Sequence, residues 1–444
     1  MKKTLLTVAV LGAISSMTAS PVRADELSDL KAEIAAQRAQ AEAQRLRLDA
    51  LEKKLEASTA QQRSVTTAGA AGAGDKAAPE PTPPAREGLT YQRGDDYVTL
   101  YGLLDITASH ISNADSKGHS VTSYQTSWFS GNRWGLTGAH GLGNKSNVIF
   151  KLESEFILNT GEQDTAGVLF NRDAWIGFES EDYGKLTFGR QNALARDYSG
   201  IYGDPYGGAV VTLEEGGYTN TNNFKQLIFY AGSATGTRYD RGVVWKKKFG
   251  ANWVAGLGYQ FGGIPGDFPN GSTQTAAFGY NGTGFNLAGF YNHAQVATLS
   301  HQTYSIGGNV LLGPLVRLNA GYFHYRAEQA VVGDRTDNAY TLSAKFTPAG
   351  KLDYELGYQV LKAKNAGFGS SGNTLNPYAN TSGVKLAGSG DKKTVYASAF
   401  YHFDRRTEVY LAADYLRLTS GYKVGVTNGF KNQTEVATGL RFRF

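Results

Sequence analysis

The side chains of this 444-residue chain that could do chemistry are charges rather than nucleophiles. Lys151, Glu153 and Glu155 stand at alternate positions, and Val148, Phe150 and Leu152 fill those between. In a strand, that alternation puts the three charges on one face and the apolar residues on the other. Arg133 follows the same logic, because Trp134 and Leu136 take the opposite face. Cations and carboxylates sharing a wetted face generate an electrostatic field. A hydrolytic site would instead need a nucleophile, a histidine and an acid brought together. The seven histidines (His110, His119, His140, His293, His301, His324 and His402) scatter over loops and strand ends, only His324 reading as within a strand. No His, Asp or Glu spacing resembles a metal site. The absence of cysteine excludes a disulfide frame and thiol ligands. The chain therefore reads as a non-enzyme with no cofactor and no metal.

The elements that must carry these charges announce themselves in the composition. Gly 55, Tyr 26 and Phe 22 are high for a soluble enzyme, while mean hydropathy is −0.34. After the first dozen residues no apolar run approaches the ~20 residues of a membrane helix. Abundant aromatics and glycine with a polar average suit a membrane barrel, in which every second residue faces a wet interior.

The N-terminus sets the compartment. Met1-Lys2-Lys3, an apolar stretch from Leu5 to Ile14, and Val22-Arg23-Ala24 read as a secretory signal peptide over 1–24. Its removal takes three cations and no acid, so the formal charge falls from +5 to +2, which argues against a nucleic-acid partner. Residues 25–58 carry a 3-4 repeat of Leu27, Leu30, Ile34, Leu48, Leu51 and Leu55, with Gln37 and Gln44 also on the seam. That pattern predicts a short periplasmic coiled coil, or a single amphipathic helix lying on a surface. Residues 59–94 are a linker rich in Thr, Ala, Gly and Pro, which cannot bury a core.

From 95 to 444 the expectation is all-β. Sixteen segments of about ten residues alternate apolar and polar side chains, beginning with Val98-Leu100-Gly102-Leu104-Ile106. Short connections near 139–146, 179–184, 249–251, 281–284, 312–314, 347–351 and 403–407 alternate with long ones. The long ones lie near 110–131, 157–168, 190–238, 261–272, 293–302, 326–337, 362–393 and 418–432. Short turns on one side and long loops on the other predict a 16-stranded antiparallel transmembrane barrel, closed so that no edge is exposed to lipid. Gln226-Leu227-Ile228-Phe229-Tyr230 reads locally as a strand, but counting it breaks the alternation, so it is assigned to the third loop.

Four stretches, in order, resemble the general trimeric porins of betaproteobacteria: 98–105 (VTLYGLLD), 132–136 (NRWGL), 186–191 (LTFGRQ) and the closing strand 439–444 (GLRFRF). Phe442 stands where the family commonly has histidine, and the coiled coil and linker lie outside its usual pattern. The resemblance implies a homotrimer in the outer-membrane bilayer among lipopolysaccharide, and passive diffusion of small hydrophilic solutes. It also implies a third loop, here 190–238, folded into the lumen to narrow it. On the basic side it points to Arg133, Arg172, Arg190, Arg238 and Lys151; the acidic side would be Glu153, Glu155, Asp204, Glu214 and Glu215. Strict alternation would put Arg172 on the face of Ile176 and Phe178, so it needs a bulge or a strand-end position. Gly439, Phe442 and Phe444 look like the signal read by the barrel-assembly machinery.

Facing walls of opposite charge orient solutes and set ion preference without tight binding; dominance of arginine predicts a mild preference for anions. Two other readings stay open. One is a substrate-specific anion channel, for which Lys246-Lys247-Lys248 could serve, although lysines at a periplasmic rim are the plainer account. The other is a structural barrel tethered to peptidoglycan by its N-terminal helix.

Overall fold

The computed structural model describes residues 88–203, 206–215, 233–348, 350–367, 387–419 and 429–444. The signal peptide, the coiled-coil seam, Asp204 and 226–230 lie outside the described residues.

Sixteen antiparallel strands close into a barrel: β2 (Asp96–Ile111), β4 (Asn132–Gly143), β5 (Ser146–Phe156), β6 (Asp173–Ser180), β7 (Gly184–Asn192), β8 (Arg238–Phe249), β9 (Trp253–Gln260), β10 (Thr273–Asn281), β11 (Phe285–Val296), β12 (Leu299–Leu312), β13 (Val316–Ala327), β14 (Arg335–Phe346), β15 (Leu352–Gly367), β16 (Ala387–His402), β17 (Thr407–Leu418) and β18 (Asn432–Arg443). Each coincides with one of the expected segments. Two short strands accompany β2: β1 (Leu89–Arg93) and β3 (Val121–Gln125). The seam is β18 on β2, in register from Glu435 opposite Ile111 to Arg443 opposite Leu103. Beyond it the Phe444 and Gly102 backbones exchange hydrogen bonds of 3.1 and 2.9 Å. Where β18 runs out, β1 continues along β2, pairing Leu89 with Leu100 and Arg93 with Asp96. The edge left below the C-terminus is thus covered.

Burial is inverted relative to a soluble sheet. In β14, Tyr340 and Leu342 are 47% and 61% exposed, whereas Thr341 and Ser343, which alternate with them, are buried. Lipid supplies the contacts those apolar side chains need, and an interior that must accept water keeps polar residues. Outward-facing aromatics gather toward the turn end (Trp253, Phe285, Phe346, Tyr354) and again higher up the wall (Tyr304, Tyr322, Tyr340), as girdles at two membrane interfaces do.

The loop pattern holds with one correction. The connection expected at 293–302 is a two-residue turn, Ala297-Thr298, with φ of 51° and 69°. Its polar flanks read as loop in the sequence but pair as ladder, with Gln295 opposite Ser300 and His293 opposite Gln302. Polar residues are no obstacle to pairing once a hairpin rises past the membrane into water.

Candidate functional site: the inserted third loop and its charged wall

The described residues at the start of the connection from β7 to β8, 193–203 and 206–215, lie inside the barrel. The connection opens with a short helix, α1 (Leu194–Ser199), whose Leu194 and Tyr198 pack over the inward side of Gly256 on β9. It then follows the inner wall. Asn309 on β12 donates to the Ile201 carbonyl at 2.9 Å, Thr341 on β14 to that of Tyr202 at 3.0 Å, and Gln359 on β15 to that of Gly203 at 3.2 Å. Tyr206 reaches Ser398 on β16. From there the chain doubles back: Arg317 on β13 bonds the Gly207 carbonyl at 2.9 Å, Asn309 that of Ala209 at 2.7 Å, and Asn281 on β10 that of Val211 at 2.8 Å. Glu214 and Glu215 end the return at Lys185 and Lys151. Apolar Leu194, Tyr198, Ile201, Tyr202 and Val211 are buried against the wall, and burial of that face holds the loop in place.

The wall not covered by this loop, on β2 and β4–β6, carries the charges. Lys151 lies 2.7 Å from Asp173, 2.5 Å from Glu215 and 3.9 Å from Glu153. Arg172 pairs with both Glu153 and Glu155, and Tyr101 donates to Glu153 at 2.8 Å. Arg238 sits 3.6 Å from Asp173. Arg133 and Arg196 share with Lys151, Glu153, Arg172, Asp173 and Glu215 the lining of a cavity of 410 Å³, bounded across the gap by Tyr206-Gly207-Gly208 and joined by Arg443.

Most of the expected charges therefore meet. Arg172 escapes its wrong parity by lying one residue before β6, where its backbone N–H still bonds the Glu153 carbonyl at 3.2 Å. Glu214 pairs with Lys185 at 2.9 Å and lines a second, adjoining cavity. Arg190 is a correction. It stands opposite Ala174, on the outward side of the wall, where it pairs with Asp240 and donates to the Asn171 carbonyl at 2.7 Å. β7 runs on to Asn192, so Arg190 belongs to the strand rather than to the loop and shares the outward face of Leu186 and Phe188. Lys246 also departs from the rim reading, being buried and paired with Asp197 of α1. Arg196, Asp173 and Tyr206 join the site in addition to the expected residues. Asp173 has the inward parity of Trp175, a signal available in the sequence, whereas Arg196 and Tyr206 depend on how a loop packs.

At the seam, Phe442 and Phe444 face outward with ring centroids 6.2 Å apart, and the Phe444 ring covers Gly102, where a Cβ would come within 2.3 Å of it. Gly439 faces inward and leaves room for the Tyr410 ring in the same way.

The profile of the Gram-negative porins matches residues 60–421. The chain belongs to the Gram-negative porin family. Over 385 residues the porin is 26% identical to an outer membrane porin protein of Bordetella pertussis, covering 78% of this chain and 94% of that one. Its fold is similar to the anion-selective porin from Comamonas acidovorans (TM-score 0.62, 18% identity, 79% of this chain and 100% of that one). It is also similar to the trimer form of OmpT of Vibrio cholerae (TM-score 0.54, 14% identity, 79% and 99%). A third similar fold is OmpF of Salmonella typhi in complex with daunomycin (TM-score 0.53, 15% identity, 80% and 100%). The porin is thus an outer-membrane channel rather than an enzyme.

Proposed function

We propose that this porin passes small hydrophilic solutes through a lumen narrowed by the third loop, with a mild preference for anions. The observation that carries the reading is the charge balance of the 410 Å³ cavity beside that loop: Arg133, Lys151, Arg172, Arg196 and Arg443 against Glu153, Asp173 and Glu215. Five cations interleaved with three carboxylates on one lining leave a local excess that attracts anions, while the paired carboxylates keep each cation from holding one tightly. Similarity to an anion-selective porin supports the sign, and similarity to a trimeric one supports assembly as a homotrimer. The N-terminal segment serves on this reading as a periplasmic tether or trimerising helix, and 439–444 as the contact for the assembly machinery. The test is reversal potential across a salt gradient in bilayers holding the purified protein. A potential of anion-selective sign supports the proposal, and clear cation selectivity overturns it.

A further inference from the structure

Beyond the charged wall, a second loop is folded inward: the end of the connection between β3 and β4. Trp128 and Phe129 there are 1% and 0% exposed, although they belong to an extracellular connection. Asp105, inward-facing on β2, holds this segment. Its carboxylate accepts from the backbone N–H groups of Phe129 and Ser130 at 3.2 and 3.0 Å, and from the Tyr410 hydroxyl at 2.7 Å. The Asn132 side chain donates to the Asp105 carbonyl at 3.1 Å, and Arg441 donates to Ser130 Oγ at 3.2 Å. A backbone fixed by this many partners is a built feature of the wall.

What it presents is an aromatic socket. The Phe129 ring lies 4.9 Å from Phe400 and 4.7 Å from Tyr410, with the Arg441 guanidinium 5.7 Å above it. Into this socket goes Tyr206, the residue at which the third loop turns back. Its ring is 4.3 Å from Phe129 and 5.4 Å from Phe400, and its hydroxyl bonds Ser398 at 2.5 Å. Tyr206 and the two glycines after it also line the cavity beside the arginines.

We propose that Phe129 and Tyr206 form an aromatic clasp, by which the first loop fastens the tip of the third to the β16–β18 wall and so fixes one edge of the constriction. Tethered at both ends by strands, a long loop still has a free tip. Edge contacts between rings give that tip one seat without closing the passage. Aperture and open-state noise then depend on a residue pair that carries no charge. The inference rests on reading the third loop as the constriction.

The test is single-channel recording of the full-length porin with Tyr206→Ala, Phe129→Ala and Tyr206→Phe, folding being checked by heat-modifiable mobility on gels. The alanine variants should raise mean conductance by roughly half to twofold and increase open-channel noise, because the tip loses its seat. Tyr206→Phe keeps the rings in contact and should stay near the parent. If an alanine variant does not assemble, Phe129→Leu, which keeps bulk but not the ring, carries the same expectation. Alanine variants that fold and conduct like the parent would overturn the clasp, as would Tyr206→Phe behaving like Tyr206→Ala. Failure of the parent itself to conduct would instead overturn the constriction reading beneath it.

Discussion

The Glu215 carboxylate lies 2.5 Å from the ammonium of Lys151, and with the Glu214/Lys185 and Asp197/Lys246 pairs this ion pair joins the inserted loop to the barrel wall. Lys151 is shared with Asp173 and Glu153, which makes it the cation at which the loop, β5 and β6 meet.

Removing that cation should cost more than removing any one of the three anions. Lys151→Met leaves Glu215 without its cation while Glu153 keeps Arg172 and Asp173 keeps Arg238, and loss of one partner of a buried pair typically costs roughly 3–5 kcal/mol. The expected result is a shift of reversal potential toward cations together with noisier openings. Glu215→Gln should instead strengthen anion preference. A Lys151→Met channel with the parent's potential would refute the assignment of Lys151 to the passage.

Arg190 supplies the matching control. Because it pairs with Asp240 on the outward side of the wall, Arg190→Gln should leave conductance and ion preference unchanged. Arg196→Gln, on the cavity, should weaken anion preference measurably. If the two variants exchanged these behaviours, the inward and outward assignments would be reversed.

The barrel was largely legible in the sequence and the passage only in part, for a physical reason. Strand existence and face follow from an alternation that lipid and water impose on each strand separately, so Arg133, Lys151, Glu153 and Glu155 could be oriented from their neighbours. Arg190 has the outward parity of Leu186 and Phe188 by the same rule, and only its placement in the third loop, where β7 still runs on to Asn192, hid this. The hairpin at Ala297-Thr298 was hidden because strands rising into water lose their apolar face. Arg196, Phe129 and Tyr206 depend on where two loops pack inside the barrel, a long-range matter to which periodicity is blind.

The seam should tolerate little added bulk. Gly102→Val places methyl groups where the Phe444 ring already lies and where the Arg133 carbonyl is 2.9 Å from a Cβ. Overpacking of this kind costs typically 1–3 kcal/mol. Heat-modifiable mobility should show a lower unfolding temperature or less assembled barrel. Gly143→Ala, at a turn with open space around it but a φ of +79°, should cost less. Equal losses in the two variants would detach the effect from the C-terminal aromatic.

Deleting 25–58 should leave single-channel conductance intact, because every side chain assigned to the passage lies within 101–443. Trimer stability or cell-wall association should weaken. Loss of the channel itself would show that tether and pore are not separable.

Conductance of the purified, signal-free protein in planar bilayers tests the open passage directly. A trimeric, weakly anion-preferring pore gives stepwise openings in groups of three, current linear with voltage and concentration, and a reversal potential of weakly anion-selective sign. No openings, a current blocked by one solute at low concentration, or clear cation selectivity would contradict it.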